Sequence, residues 1–234
     1  MIDDINKLER NVGFSRHRAA SILDGIFTEI GVLYPPTFVE FGAGATGCEC
    51  NTGKLRNDGW TGLWMDGQGD DVLVKKEYVT AENINALLDK YAVPAVFDVL
   101  SIDIDGVDWW VWRAIERQPR VVVIEYNAMQ GPTSSVTVPY ARDFKWDRSD
   151  HFGASLEALA RLGRKKGYTL VGTCSWGVDA FFVMNDEAES FAARTTPELY
   201  HAQRYGALLP DGTYAGHPHS QRVMQEINLQ GDPS

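Results

Sequence analysis

A short apolar run that breaks into closely spaced glycines, Val39-Glu40-Phe41-Gly42-Ala43-Gly44-Ala45-Thr46-Gly47, limits the folds open to this chain more than any other segment. Glycines there let the backbone turn sharply at a strand end and let a ligand approach where side chains would block it. The amides that open the next helix then face that ligand. Such a bend belongs at the carboxyl edge of a parallel sheet, where nucleotide-like molecules are held.

The rest of the chain repeats the same rhythm of short apolar runs and helical spacing, the pattern of βαβ units around a parallel sheet. Strands are predicted at 37–41, 63–66, within 71–79, and at 97–104, 120–126, 168–172 and 180–184. Helices are predicted within 2–33, from near Cys48 to just before Asp58, over 82–90 with Thr80 as N-cap, and over 107–117 and 153–166. The short turn at Trp176-Gly177 implies an antiparallel final pair. Residues 127–149 dissolve into Gly, Pro, Thr and Ser with scattered aromatics, and an irregular segment of that length inside a compact domain points to function. The expected organisation is an N-terminal helical segment (1–36), an α/β nucleoside-binding domain (37–184) and a C-terminal tail or lid (185–234).

The formal net charge of -10 excludes a surface built to neutralise polynucleotide phosphates, so no nucleic-acid partner is expected. No apolar run approaches the roughly 20 residues that cross a bilayer, and Asp3, Asp4, Lys7, Glu9 and Arg10 do not read as a signal peptide. The expectation is a cytoplasmic protein without a membrane partner. Cys48, Cys50 and Cys174 match neither a disulfide framework nor a four-ligand zinc site. Nothing in the pattern fixes an oligomeric state.

Gly42, Gly44 and Gly47 alone form a weak Gly-x-Gly-x-x-Gly signal. Asp66, ending the second strand about 20 residues later, strengthens it, because an acidic side chain there accepts from ribose hydroxyls. Dinucleotide oxidoreductases, methyltransferases and non-catalytic nucleoside-binding modules all satisfy this much. Glu40 is the discriminating residue: a carboxylate at this strand end is awkward beside a pyrophosphate and suits the ammonium and sulfonium groups of S-adenosylmethionine. A Tyr-x-x-x-Lys pair for hydride chemistry is also missing after the fifth strand.

A second cluster follows from strand periodicity. Side chains at i and i+2 share a face, which brings Asp103 and Asp105 together, and likewise Glu125 and Asn127 on the adjacent strand. Crowded carboxylates raise one another's pKa, so that one can take a proton from an acceptor hydroxyl. Hard oxygen ligands can instead hold magnesium. Asp103, Glu125 and Asn127 resemble the magnesium ligands of catechol-type O-methyltransferases. Asp108 is read as a helix cap, His151 as a candidate general base, and Trp146 and Tyr140 as aromatic surfaces for an acceptor ring. His217 and His219 lack a nearby carboxylate and read as incidental.

Residues 39–47, Asn51-Thr52, Gly59-Trp60-Thr61-Gly62, residues 100–108 and 122–127, and Gly153-Ala154-Ser155-Leu156 together resemble class I S-adenosylmethionine-dependent methyltransferases related to the FkbM family. The resemblance runs in order from about residue 37 to 183. It implies a Rossmann-like, mostly parallel seven-stranded sheet with a reversed last strand, and O-methylation of a small acceptor, a sugar or secondary metabolite. It places Glu40, Gly42 and Gly44 at the methionine end of the cofactor, Asp66 at its ribose, Val79 and Thr80 near adenine, and Asp103 closest to the methyl group. The chain departs from the family pattern at Asp105, where Glu is common, and at Asp179, where Asn is common.

Overall fold

The computed structural model describes residues 2–10, 19–48 and 50–233. The strands are β1 (Thr37–Phe41), β2 (Thr61–Asp66), β3 (Lys75–Lys76), β4 (Val96–Ile102), β5 (Gln118–Glu125), β6 (Val136–Thr137), β7 (Tyr168–Thr173), β8 (Asp179–Met184) and β9 (Gln225–Glu226). The α-helices are α1 (Ala19–Ile30), α2 (Gly53–Asn57), α3 (Ile84–Lys90), α4 (Asp108–Ala114), α5 (Leu156–Lys166) and α6 (Thr196–Leu199). Seven strands form one sheet in the order β3-β2-β1-β4-β5-β8-β7. Every neighbouring pair is parallel except those made by β8, which runs against both β5 and β7. This α/β arrangement is compatible with a Rossmann-like fold, and the strand order reverses between β1 and β4, where a crevice opens at the carboxyl ends.

Period-two alternation sorts each strand between two cores. Val39, Phe41, Leu100, Ile102, Val122 and Ile124 face α3, α4 and α5, meeting Leu88, Trp109, Trp112 and Leu159. Phe38, Val99, Val121, Val123 and Phe181 face the other way, onto Ile22, Leu23 and Ile26 of α1 and Leu55 of α2. Both faces of the central strands are thus covered, which is why these strands read as continuous apolar runs. Helix α5 is fixed at both ends: the Ser155 hydroxyl accepts from the Ala158 amide, and Gly167 closes it in the left-handed conformation.

Several elements are shorter than their sequence pattern predicts, each for a local reason. Helix α2 begins at Gly53 instead of near Cys48, because Gly44 and Gly47 take positive φ and the Glu40 carboxylate captures the amides of Asn51 and Thr52 before the helix starts. Strand β4 stops at Ile102 because the buried Asp108 carboxylate accepts from the amides of Ile104 (2.8 Å) and Gly106 (2.9 Å), folding the chain out of the sheet. The third strand shrinks to Lys75–Lys76, since Asp70 and Asp71 draw the amides of residues 72–74 and 76 into turns. The predicted N-terminal helices are α1 and a 3-10 turn at Ile5–Leu8, and residues 11–18 of that segment lie outside the described residues. The tail carries a 3-10 helix (Asn185–Ser190), α6 and β9, which pairs with β6. No helix among the described residues is long and apolar enough to cross a membrane.

At the amino edge of the sheet a buried ion-pair group anchors the first helix. Arg120 donates to Asp98 (2.8 Å), to Glu187 and to the carbonyls of Ile30 and Gly31 that end α1. Asp98 in turn accepts from the amides of Leu33 and Thr37. Removing one partner leaves an uncompensated buried charge. Arg120→Met should therefore lower the unfolding free energy in a urea titration by about 3–5 kcal/mol, and adding Asp98→Asn should recover part of that loss.

Candidate functional site

A cleft of about 970 Å³ opens at the carboxyl edge where the strand order reverses. The glycine bend forms its floor. Gly42 has φ of 80°, and a Cβ at that position would stand 1.5 Å from the Asp103 carbonyl oxygen, so only glycine allows β1 and β4 to lie this close. Asp66 stands at the end of β2 and accepts from the amides of Gly44 (3.1 Å) and Gln68 (2.7 Å), which ties the bend to its neighbour. Gly42, Gly44, Asp66, Val79 and Asp103, the positions expected from the sequence to meet a cofactor, all line this cleft.

Asp103, Asp105 and Glu125 converge on its inner wall, each offering a carboxylate oxygen within 4.8 Å of the others. Asp105 holds φ of 55°, an uncommon conformation for a residue with a side chain and one found where structure over-determines it. Burial, followed by the neighbouring Asp105 and Asp108 charges, pushes Asp103 well above the usual carboxylate range. Burial and the Asp103 charge do the same to Glu125. Behind them Asp179, the cross-strand partner of Glu125, is raised to about 7 by burial, against the hydrogen bond it accepts from the Asn51 side chain (3.2 Å). These groups hold protons or need a cation beside them.

Four sequence-predicted site residues lie elsewhere. Glu40 is buried and absent from the cleft wall: it shares the face of Phe38, toward α1 and α2, and accepts from the Asn51 amide (2.6 Å), the Thr52 amide (3.0 Å) and the Ser101 hydroxyl (3.1 Å). It shapes the cleft from behind, and the expected contact with a cofactor ammonium is corrected accordingly. Thr80 is buried, exchanges hydrogen bonds with Asn83, whose amide it caps, and does not line the cleft. Asn127 is not a metal ligand, because its amide donates to the carbonyls of Asp150 and Phe152 and its oxygen accepts from Met129. His151 is buried behind the ring of Phe144, 6.1 Å away and nearly parallel, and does not line the cleft. Trp146 does line it, whereas Tyr140 packs on Trp110 outside.

Among the lining residues that carried no functional expectation of their own from the sequence are Asn51 and Tyr78. Asn51 sits where the bend returns to the sheet, and its side chain reaches Ser101 and Asp179. Its position next to Thr52, after the glycines, is the available signal. Tyr78 lines the opposite side and donates to the Phe144 carbonyl (2.8 Å), joining the β3 end to the irregular segment. No local pattern marks it.

Gly42→Ala should destabilise the protein by on the order of 3 kcal/mol or more, read as a lower urea midpoint. Asp179 has a folded-state pKa raised from about 4 to about 7, so the stability it lends is complete below about pH 4 and is lost as pH rises through about 7. Asp179→Asn should therefore leave the melting temperature near wild type at pH 4.5 and raise it by several degrees at pH 8. Comparison of the chain with family models and with curated proteins finds no match.

Proposed function

We propose that this chain is an S-adenosylmethionine-dependent methyltransferase acting on a hydroxyl of a small molecule, a sugar or natural product. The observation that carries the reading is the charge of the cleft. Asp66, Glu77, Asp103, Asp105 and Glu125 line it, against the single cation Lys145. Acidic groups crowded in this way disfavour a pyrophosphate and suit a ligand bearing sulfonium and ammonium groups, whose charge favours the ionised forms of Asp103 and Glu125. Glu40, buried behind the cleft, is not one of these groups. The strand order, with one reversed strand beside β5, also agrees with the sheet that the resemblance to class I methyltransferases implies.

The residues present fit the nucleoside. The backbone at Gly42 and Gly44 admits close approach, Asp66 stands where ribose hydroxyls donate, and Val79 offers an apolar contact for the base. When bound, S-adenosylmethionine supplies a methyl carbon whose bond to sulfur breaks as the bond to the acceptor oxygen forms, leaving S-adenosylhomocysteine. Asp103, with its raised pKa, is suited to take the acceptor's hydroxyl proton. Asp103, Asp105 and Glu125 would hold magnesium if a metal takes part, and a hard cation there lowers the pKa of an acceptor hydroxyl. Residues 127–149, which bring Phe144 and Trp146 to the opening, govern which acceptor enters.

Calorimetric titration should show binding of S-adenosylmethionine and S-adenosylhomocysteine and weaker or no binding of NAD. Preference for NAD, or binding of none of the three, removes the reading. Asp103→Asn should keep its affinity for S-adenosylhomocysteine within a few-fold and lose methyl transfer by roughly 10²-fold or more. Activity unchanged by EDTA would assign the carboxylates to proton transfer alone.

A further inference from the structure

Two sides of the cleft are joined by one hydrogen bond between residues 66 positions apart: the Tyr78 hydroxyl donates to the Phe144 carbonyl (2.8 Å). Tyr78 belongs to the side of Asp66 and Val79, and Phe144 to the side formed by the irregular segment, with Lys145 and Trp146. Although it lines the cleft, Tyr78 is 54% exposed, which puts its bond at the opening and not in the core.

Neighbours set both ends of this bond. On the Asp66 side, the Glu77 amide donates to the Asp66 carbonyl (3.0 Å), and the Asn83 side chain donates to the Tyr78 carbonyl (2.8 Å). The tyrosine ring lies beside Gly67, where an added Cβ would stand 3.6 Å from Tyr78 Cδ2. On the other side, the Phe144 ring packs on Gly106 so closely that a Cβ there would stand 2.4 Å from its Cδ1. The His151 ring lies nearly parallel to it at 6.1 Å, and the Arg222 guanidinium stands 5.3 Å from its centre. With its side chain fixed in this way, Phe144 offers its carbonyl as a fixed acceptor, and the phenol reaches it from the facing side. The same segment makes another phenol bond, from Tyr140 to the Glu82 carboxylate just before α3, but neither of those residues lines the cleft.

We infer that Tyr78 is a positioning residue of the cofactor site, whose hydroxyl clasps Phe144 and so closes the rim on a nucleoside seated between Asp66 and Val79. The inference rests on the methyl-transfer reading and deepens it, since it names what retains the cofactor and ties the cofactor's seat to the segment that admits the acceptor. Segments that close over a ligand set its rate of release. A bond at the surface that closes them adds little to global stability.

The test uses the full chain and needs no acceptor. Tritiated S-adenosylhomocysteine is bound, then chased with an excess of the unlabelled compound, and its dissociation rate is read for wild type, Tyr78→Phe and Tyr140→Phe. Tyr78→Phe keeps the ring beside Gly67 and removes only the donor, so it should melt within about two degrees of wild type. Its dissociation rate should rise by roughly three- to tenfold, the range that one neutral hydrogen bond supplies. Tyr140→Phe, which cuts the bond outside the cleft, should change that rate less than threefold. A rise of less than threefold for Tyr78→Phe, or a larger loss of melting temperature, overturns the inference and leaves the methyl-transfer reading standing. A rise of threefold or more for Tyr140→Phe overturns it as well, because any anchor of the segment would then serve. Wild-type protein that does not bind S-adenosylhomocysteine brings down both.

Discussion

The carboxylate of Glu40 is the tie on which the carboxyl edge of this molecule depends. It is buried one residue before the end of β1, and its oxygens collect the amides of Asn51 and Thr52 and the hydroxyl of Ser101. Thr52 passes the tie to β2 by accepting from the Trp64 indole (2.8 Å), and Asn51 passes it to β8 through Asp179. One buried charge thus joins β1, β2, β4 and β8 to the loop that follows the glycines. Burial raises its pKa, while these hydrogen bonds pull in the opposite direction. A carboxylate so enclosed is retained because removing any partner would leave the others unsatisfied.

The glycine bend and the carboxylate cluster are consequences of the same tie. With residues 51–52 drawn under β1, the segment from Gly42 to Cys48 has to arch over the sheet end, and its backbone becomes the floor of the cleft. Opposite that floor, Asp108 folds residues 103–107 outward and leaves Asp105 in a left-handed conformation beside Asp103 and Glu125. Crowding like charges and straining a backbone both act against folding. The amino edge offsets them with well-paired groups, above all Arg120 between Asp98, Glu187 and the end of α1. Well-paired charges thus hold the amino edge of the sheet, and crowded carboxylates stand at the carboxyl edge.

Much of this was legible in the sequence because it follows from short-range rules. Alternation and helical spacing located the strands of the main sheet, since a strand covered on both faces has to be apolar throughout. The bend was legible because few residues other than glycine adopt positive φ there. Asp66, Val79 and Asp103 were legible because each sits at or just past a strand end that faces the crevice. Lengths were less so: α2, β3 and β4 are cut short by side chains that compete for backbone amides, namely Glu40, Asp70, Asp71 and Asp108.

The sequence by itself determined the alternation of strands and helices, the glycine bend at the end of β1 and the acidic residues at the strand ends, because periodicity and backbone freedom act between near neighbours. Only the tertiary structure decided which of those acidic residues meet. Glu40 turns to the α1 and α2 face while Asp103, Asp105 and Glu125 open into the cleft, and Asn127 is spent on its own loop. It also brought the Asn51 side chain to Asp179, across 128 positions of the chain. Hydrogen-bond partners for a buried polar group come from whatever the fold places beside it, and that proximity is not a property of any local segment.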